Sequence, residues 1–149
     1  MDPLDAEGTA LERSGGQANR RTWQKKAVLD ALTTCADFVS AQRLHRMMED
    51  EGTAIGLSTV YRQLNALADS GRADTIRLDG RQMFRICNDD DHHHHLVCER
   101  CGRTVEIEPP DEEWVRAVAG RYGFTATSHT VEVFGLCPAC ARIVSTASA

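Results

Sequence analysis

The 149-residue sequence lacks any long apolar run. No stretch approaches the roughly 20 consecutive apolar residues that a membrane-spanning helix needs. The first residues, MDPLDAEGTALERSGG, are acidic and have no apolar core, so they do not resemble a secretory signal. With 42% hydrophobic and 26% charged residues, the composition is that of a soluble globular protein. We therefore expect a cytoplasmic protein without a membrane partner.

An HExxH motif is also absent. A zinc hydrolase needs three protein ligands, an open position for water and a general base. The histidines at 92–95 with Glu112 or Glu113 could supply that inventory, but neither a motif nor an evident substrate pocket supports it. We expect a protein that is not an enzyme.

Charge is unevenly distributed, which the net value of −5 hides. Residues 1–86 hold 12 Lys/Arg and 12 Asp/Glu, whereas residues 87–149 hold 5 and 10. Within 13–47, the bases are Arg13, Arg20, Arg21, Lys25, Lys26, Arg43 and Arg46, and the acids are Asp30 and Asp37. A local basic face suits nucleic acid even on an acidic protein, although a solvated helix face would look the same.

Three segments space their apolar residues as helices do: RRTWQKKAVLDAL, SAQRLHRMMEDEG and STVYRQLNALADSG. The positions expected to face a core are Trp23, Ala27, Val28, Ala31 and Leu32, then Leu44, Met47 and Met48, then Val60, Leu64, Leu67 and Ala68. Ser40 is expected to cap the second helix, and the third is expected to start at Ser58 or Thr59 and to end at Gly71.

The apolar period then changes from helix to strand. ADTIRLDGRQMFRI alternates, with Ile76 and Leu78 on one face of the first strand and Phe84 and Ile86 on one face of the second. The Asp79-Gly80 pair between them predicts a hairpin turn. Three helices and a hairpin match a winged helix, in which Tyr61 and Arg62 on the third helix could read DNA bases. An ordinary three-helix domain with an exposed tyrosine is the alternative.

Two CxxC pairs follow, Cys98-Cys101 and Cys137-Cys140, with 35 residues between them. Each pair lets two thiolates from one tight turn reach a single metal, so together they indicate a four-sulfur zinc site. A thioredoxin-type dithiol is the rival interpretation of CPAC, but no strand precedes it in a βαβ unit. A closed structural zinc site is the better prediction.

The internal run DDDHHHHLVCERC places four histidines just before the first CxxC pair. If the run is extended, His92 and His94 face one way and His93 and His95 face the other, because side chains alternate along a strand. The run could then serve two metal sites, together with Cys87 or the lone His129. A solvated polar linker is the bland alternative.

The order of these motifs resembles the ferric uptake regulator superfamily. The segments STVYRQLNALADSG, HHHHLVCERCG and SHTVEVFGLCPAC carry the resemblance, and their spacing is most similar to the zinc uptake regulators of actinobacteria, over about residues 19 to 143. The resemblance implies an α+β protein: an N-terminal winged-helix DNA-binding domain followed by a small α/β dimerisation domain with zinc sites. The implied divisions are a flexible extension at 1–18, the winged helix at 19–86, a hinge at 87–91, the dimerisation and metal-binding domain at 92–144 and a tail at 145–149.

The resemblance also implies roles for individual residues. The structural zinc would be held by Cys98, Cys101, Cys137 and Cys140. The sensing zinc would be held by Asp74, Cys87, His93 and His95, and an additional regulatory zinc by His92, His94, Glu112 and His129, giving two or three zinc ions per subunit. Glu112 is preferred to Glu113 because the family separates this glutamate from the final histidine by 17 positions. DNA would be contacted by Tyr61, Arg62, Arg21 and Lys25.

The function implied is zinc-responsive repression of transcription. With zinc bound, a homodimer would bind a pseudo-palindromic DNA operator and repress zinc-uptake genes, with one or two dimers per operator left open. If Cys87 is not a ligand, an iron or peroxide sensor of the same superfamily becomes the better interpretation, because iron and manganese sites favour oxygen and nitrogen donors. A zinc storage or chaperone protein is an alternative of another class, and it would not require the winged-helix half.

Overall fold

The computed structural model describes residues 10–87, 93–108 and 111–148. Residues 10–87 form an N-terminal unit, and the rest of the described chain forms a C-terminal unit. The N-terminal unit contains α1 (Ala10–Thr33), β1 (Val39–Ser40), α2 (Ala41–Asp50), α3 (Leu57–Asp69), β2 (Ala73–Leu78) and β3 (Arg81–Ile86). The C-terminal unit contains β4 (His94–Cys98), β5 (Thr104–Ile107), α4 (Glu113–Arg121), β6 (Glu132–Gly135) and α5 (Pro138–Ala147).

The N-terminal unit is built around one apolar core. Val28, Leu32, Leu44, Val60 and Leu64 are each fully buried, so the apolar faces of the three helices meet as expected. Burying side chains of this size from three helices is the main stabilising contribution to such a unit. Two expected positions differ: Trp23 is 50% exposed, and Met47 is only half-buried and lies outside this core.

The helix boundaries largely follow the local signals. Ser40 caps α2, and its Oγ accepts a hydrogen bond of 3.2 Å from the Arg43 N–H, as expected. The third helix begins one or two residues earlier than expected, at Leu57, with Gly56 as its N-cap. Gly71 follows its C-terminal end at a φ of 76°, a conformation that favours glycine.

Helix α1 is longer than the sequence suggested. It begins at Ala10, so residues 10–18 of the expected flexible extension are helical. Strong helix formers on both sides of the Gly15-Gly16 pair favour this conformation, although the glycines oppose it. Residues 1–9 of that extension lie outside the described residues.

The β2–β3 hairpin buries side chains on both of its faces. Asp79 and Gly80 form its turn with φ values of 50° and 74°, as the Asp-Gly pair predicted. Ala73 and Phe84 face the helical core. Ile76 is buried on the opposite face, where it packs against the C-terminal unit rather than the helices. Because faces alternate along a strand, Asp74 lies on that second face as well.

The C-terminal unit is a three-stranded sheet of order β5-β4-β6, with α4 between β5 and β6 in sequence and α5 after β6. Strand β4 pairs antiparallel with β5 and parallel with β6. The segment RTVEIE contains β5, and the segment HTVEVFG contains β6. The last helix was not expected: α5 begins with Pro138, a residue suited to the first helical turn, and includes residues 145–147 of the expected tail.

One face of this sheet carries an exposed apolar row. Leu96 is in register with Val105 on β5 and with Val133 on β6. The three side chains are 41%, 45% and 44% exposed. An apolar row of this kind on a sheet face is typical of a surface that another chain covers.

Only one residue of the expected hinge at 87–91 is among the described residues. Cys87 is described, and its N–H donates a hydrogen bond of 3.0 Å to the carbonyl of Arg72. Residues 88–91 of the hinge and the neighbouring His92 lie outside the described residues. None of the helices that the structure describes is long and apolar enough to cross a membrane.

Candidate metal centres and nucleic-acid interface

The four cysteines of the two CxxC pairs converge at one end of the C-terminal sheet. Cys98 ends β4 and Cys101 lies in the turn after it, while Cys137 caps α5 and Cys140 lies in its first turn. Their sulfur atoms all lie within 4.8 Å of one another, and the Cys101 and Cys137 sulfurs are 3.8 Å apart. Tetrahedral zinc with bonds of about 2.3 Å places its sulfurs about 3.8 Å apart, so the cluster fits zinc.

The chemistry of these thiols also fits a cation. The backbone N–H of Cys137 points at the Cys98 sulfur over 3.4 Å and is the main reason that the Cys98 pKa falls to about 6. The Cys137 side chain and burial raise the pKa of Cys140 to about 12. Four neighbouring thiolates repel one another, so they ionise together only when a cation compensates their charge.

A second cluster joins the two units. Asp74 on β2 meets His93 and His95 from the C-terminal unit, and the ligand atoms of all three lie within 4.8 Å of one another. The Asp74 Oδ2 atom is 2.9 Å from His93 Nε2 and 3.4 Å from His95 Nε2. His95 Nε2 is buried and makes no hydrogen bond to any described residue, which is costly for a polar atom unless a metal takes it.

Cys87 lies beside this cluster at the end of β3. Its sulfur is 3.8 Å from His93 Nε2, close to the spacing of two ligands on one tetrahedral ion. Burial lowers the pKa of His95, which favours the neutral imidazole that binds metals. The structure thus brings together three of the four residues expected to sense zinc and places the fourth next to them.

The third expected set is more dispersed. His94 points away from His93 and His95, its ring lies 5.3 Å from that of His129, and its Nδ1 accepts a hydrogen bond of 3.2 Å from Val131 N–H. Glu112 and His129 line one cavity of about 280 Å³. Among the described residues, this set is not one whose ligand atoms all lie within 4.8 Å. His92 cannot be placed, since it lies outside the described chain.

Three of the four residues expected to contact DNA share one hollow. Arg21 and Lys25 on α1 and Arg62 on α3 line a cavity of about 410 Å³ together with Thr22 and Gln63. Tyr61 instead packs partly against the helical core. The hollow is cationic and open to solvent, as a surface that receives a phosphate backbone must be.

Sequence patterns missed the contacts between the two units that lie outside the Asp74 cluster. Several of them involve residues that no motif surrounds: Asp37, Phe38, Arg85, Thr104 and Glu106. The partners lie far apart in the chain, so spacing gives no signal. The two-faced hairpin is the only local hint, because β3 alternates Met83 and Arg85 with the core residues Phe84 and Ile86.

A winged helix tied to a small α/β unit by a histidine and carboxylate cluster defines a class of two-domain metal-dependent DNA-binding regulators. Sequence comparison places the chain within that class. It belongs to the Ferric uptake regulator family, whose sequence model matches residues 17–134. The expected fold class and family resemblance are thereby confirmed.

The relatives include regulators of zinc and of iron. The Zinc uptake regulation protein of Mycobacterium tuberculosis is 46% identical over 123 residues, covering 81% of this chain and 94% of the relative. The crystal structure of FurB from M. tuberculosis, a zinc uptake regulator, is 44% identical with a TM-score of 0.52, covering 85% of this chain and 98% of that one. The Vibrio cholerae ferric uptake regulator is 31% identical with a TM-score of 0.64, covering 76% and 88%.

Proposed function

We propose that this protein is a zinc-responsive transcriptional repressor. With zinc bound, it binds pseudo-palindromic DNA operators as a homodimer and represses zinc-uptake genes. The observation that carries the proposal is the contact of Asp74, on the wing of the DNA-binding unit, with His93 and His95 of the C-terminal unit. The 46% identity to a protein named for zinc uptake regulation supports the choice of metal.

The donor set favours zinc over the other metals of this family. A thiolate, two imidazoles and a carboxylate suit tetrahedral zinc, whereas iron and manganese favour oxygen and nitrogen donors. Cys87 is the discriminating residue, and its sulfur lies 3.8 Å from His93 Nε2. When bound at this cluster, zinc supplies the positive charge that lets Asp74 and the Cys87 thiolate lie close together.

The two clusters support two zinc ions per subunit. Cys98, Cys101, Cys137 and Cys140 would form a closed structural site, and Asp74, Cys87, His93 and His95 a sensing site. A third, regulatory ion would be held by His92, His94, Glu112 and His129. Glu112 fits this role better than Glu113, since Glu112 shares a cavity with His129.

The sensing site acts by changing the population of domain arrangements. Without zinc at this site, the N-terminal and C-terminal units can sample several relative orientations. A ligand that binds only the arrangement in which Asp74 meets the two histidines shifts the ensemble toward that arrangement. The N-terminal units of a dimer are then held at one spacing, which a pseudo-palindromic operator can match.

The N-terminal unit would contact DNA through α1 and α3. Arg62 lies exposed near the N-terminus of α3, where recognition helices contact base edges. Arg21 and Lys25 lie across the same hollow and would bind the phosphate backbone, with Tyr61 supporting the helix that reads the sequence. The dimer would form through the exposed apolar face of the C-terminal sheet, and one or two such dimers would occupy an operator.

The direct test is a DNA-binding titration at buffered free zinc. The probe would be duplex DNA selected from a random pool by the zinc-loaded protein. We expect wild-type protein to bind it only above a threshold of free zinc, Asp74→Ala to lose that response, and Cys35→Ser to retain it. Binding that is independent of zinc, or that responds to iron or manganese but not zinc, would contradict the proposal.

A further inference from the structure

An ion pair joins the two units beside the sensing cluster. The Arg85 guanidinium on β3 donates a hydrogen bond of 2.6 Å to Glu106 on β5 and another of 2.9 Å to the Ala36 carbonyl. The side chain of Arg85 is only 18% exposed, so part of the pair is shielded from water. Glu106 responds to this contact, since its pKa is lowered mainly by the hydrogen bond from Arg85.

The strand registers place this pair directly next to the metal ligands. Arg85 is the cross-strand partner of Asp74 in the hairpin, and Glu106 is the cross-strand partner of His95 in the C-terminal sheet. Asp74 and His95 approach to 3.4 Å. The four side chains therefore bridge the two sheets twice, once through the metal ligands and once through the ion pair.

Apolar and backbone contacts extend the same seam. Val97 is fully buried against Phe38, Ile76 and Met83 of the N-terminal unit. The Phe38 ring also meets the His95 imidazole edge-on, with centroids 5.0 Å apart. The contacts of Val97 involve no proposed metal ligand, so they act whether or not the sensing site is filled.

Asp37 adds a hydrogen bond across the seam. Its Oδ1 accepts from the N–H of Thr104 over 2.9 Å. Thr104 begins β5, the strand that also carries Glu106. The loop before β1 and the edge strand of the C-terminal sheet are thus held together next to the ion pair.

We propose that the Arg85–Glu106 pair is a zinc-independent latch that holds the two halves of the sensing site together and so sets the zinc concentration at which the protein responds. The inference rests on the proposed function and names a regulatory element of the same site. Arg85 and Glu106 are positioning residues, acting through Asp74 and His95. The apparent zinc affinity of such a site equals its intrinsic affinity multiplied by the fraction of closed molecules, so loosening the latch weakens zinc binding.

Electrostatics alone makes a different prediction, and this difference separates the two explanations. Arg85 is a positive charge near the zinc site, so removing it would tighten zinc binding if only charge mattered. Glu106 is negative, so removing it would weaken zinc binding. If the two residues form a latch, Arg85→Met and Glu106→Gln instead weaken zinc binding in the same direction.

The experiment measures zinc affinity of the sensing site on the full-length protein without DNA. Zinc is titrated in competition with a chromophoric chelator after the four-cysteine site has been filled, and zinc content and thermal unfolding are recorded for each variant. We expect Arg85→Met and Glu106→Gln each to weaken affinity by roughly 1.4- to fivefold, the range of a partly exposed ion pair. The double variant should be no weaker than either single variant, because the pair acts as one interaction.

Glu108→Gln is the matched control, since it removes the same charge near the end of the same strand and should leave zinc affinity unchanged. Opposite shifts for Arg85→Met and Glu106→Gln would overturn the latch in favour of charge effects. Lower thermal stability with unchanged zinc affinity would also overturn it. Because no DNA is present, these outcomes are independent of whether wild-type operator binding responds to zinc, which tests the proposed function itself.

Discussion

Individual thiols in the four-cysteine cluster differ because of the groups that face them. Cys98 ends a strand where the Cys137 N–H points at its sulfur, and its pKa falls to about 6. Cys140 has neighbouring thiols around it, and its pKa rises to about 12. The Cys137 N–H therefore favours the thiolate form of Cys98, which is the form that binds a metal.

We predict that Cys98→Ser loses the structural zinc and the fold of the C-terminal unit. A closed site that loses one thiolate also loses the folding free energy that the metal contributes. Metal content per subunit and sedimentation would measure this loss, and Cys35→Ser should keep both properties of the wild type. A dimeric Cys98→Ser protein with unchanged zinc content would contradict the assignment.

At Arg62 the question is whether a base edge or a phosphate is contacted. If a base edge is contacted, Arg62→Ala should cost about 1 to 3 kcal/mol in binding to the selected operator and relax discrimination at one position. Lys25→Ala, which alters the other side of the same hollow, should weaken binding to all sequences and reduce its salt dependence. Equal losses for operator and random DNA in Arg62→Ala would make Arg62 a phosphate contact instead.

At the level of one element, strand β4 sorts the histidines by alternation. The ring centroids of His93 and His95 are 5.0 Å apart, and both side chains lie on the side of Asp74. The His94 ring instead lies beside that of His129. The sequence predicted this alternation because a strand has a fixed period of two. It is the part of the candidate site that local pattern describes best.

We expect substitutions of the candidate zinc ligands to divide into two groups. The first group should lose zinc-dependent operator binding while the four-cysteine site stays filled; it consists of Asp74→Ala, Cys87→Ala, His93→Ala and His95→Ala. The second should retain the fold and respond over an altered zinc range; it consists of His92→Ala, His94→Ala, Glu112→Ala and His129→Ala. Metal counting and operator titration on the eight variants distinguish the groups, and four histidine variants that behave alike would rule out two separate sites.

Other elements show where sequence reasoning stops. The hairpin and the three helices could be predicted because Ser40, the Asp79-Gly80 turn and the apolar spacing act locally. The alternation placed Ile76 on one face of its strand but did not show that this face packs against Val97 of the other unit. Arg85 and Glu106 could not be paired at all, since the contact depends on how two sheets meet rather than on either strand alone.

For the whole molecule, the proposed dimer depends on the outer face of the C-terminal sheet. Leu96 lies at the centre of the exposed row between Val105 and Val133. We predict that Leu96→Asp weakens the dimer, because a carboxylate buried at an apolar interface is left without a partner. Analytical ultracentrifugation over a range of concentrations would show a population of monomer that the wild type lacks.

The control for this prediction is Trp23→Glu, which places a charge on an exposed apolar residue of the N-terminal unit. It should sediment as the wild type does. A Leu96→Asp protein that remains fully dimeric at low concentration, with its four-cysteine zinc in place, would show that the subunits associate through another surface.

The hairpin that has one face in each unit also limits how the protein could be re-engineered. Grafting the C-terminal unit onto an unrelated winged helix would transfer the four cysteines and the histidines. It would not transfer Asp74, Cys87 or Arg85, which belong to the N-terminal unit. The resulting chimera would bind metal, but its DNA binding would not depend on the metal. If Asp74, Cys87, His93 and His95 form the sensing site as proposed, zinc sensing and DNA binding cannot be separated in this chain. A transplant that keeps the response would then have to carry strands β2 and β3 together with β4.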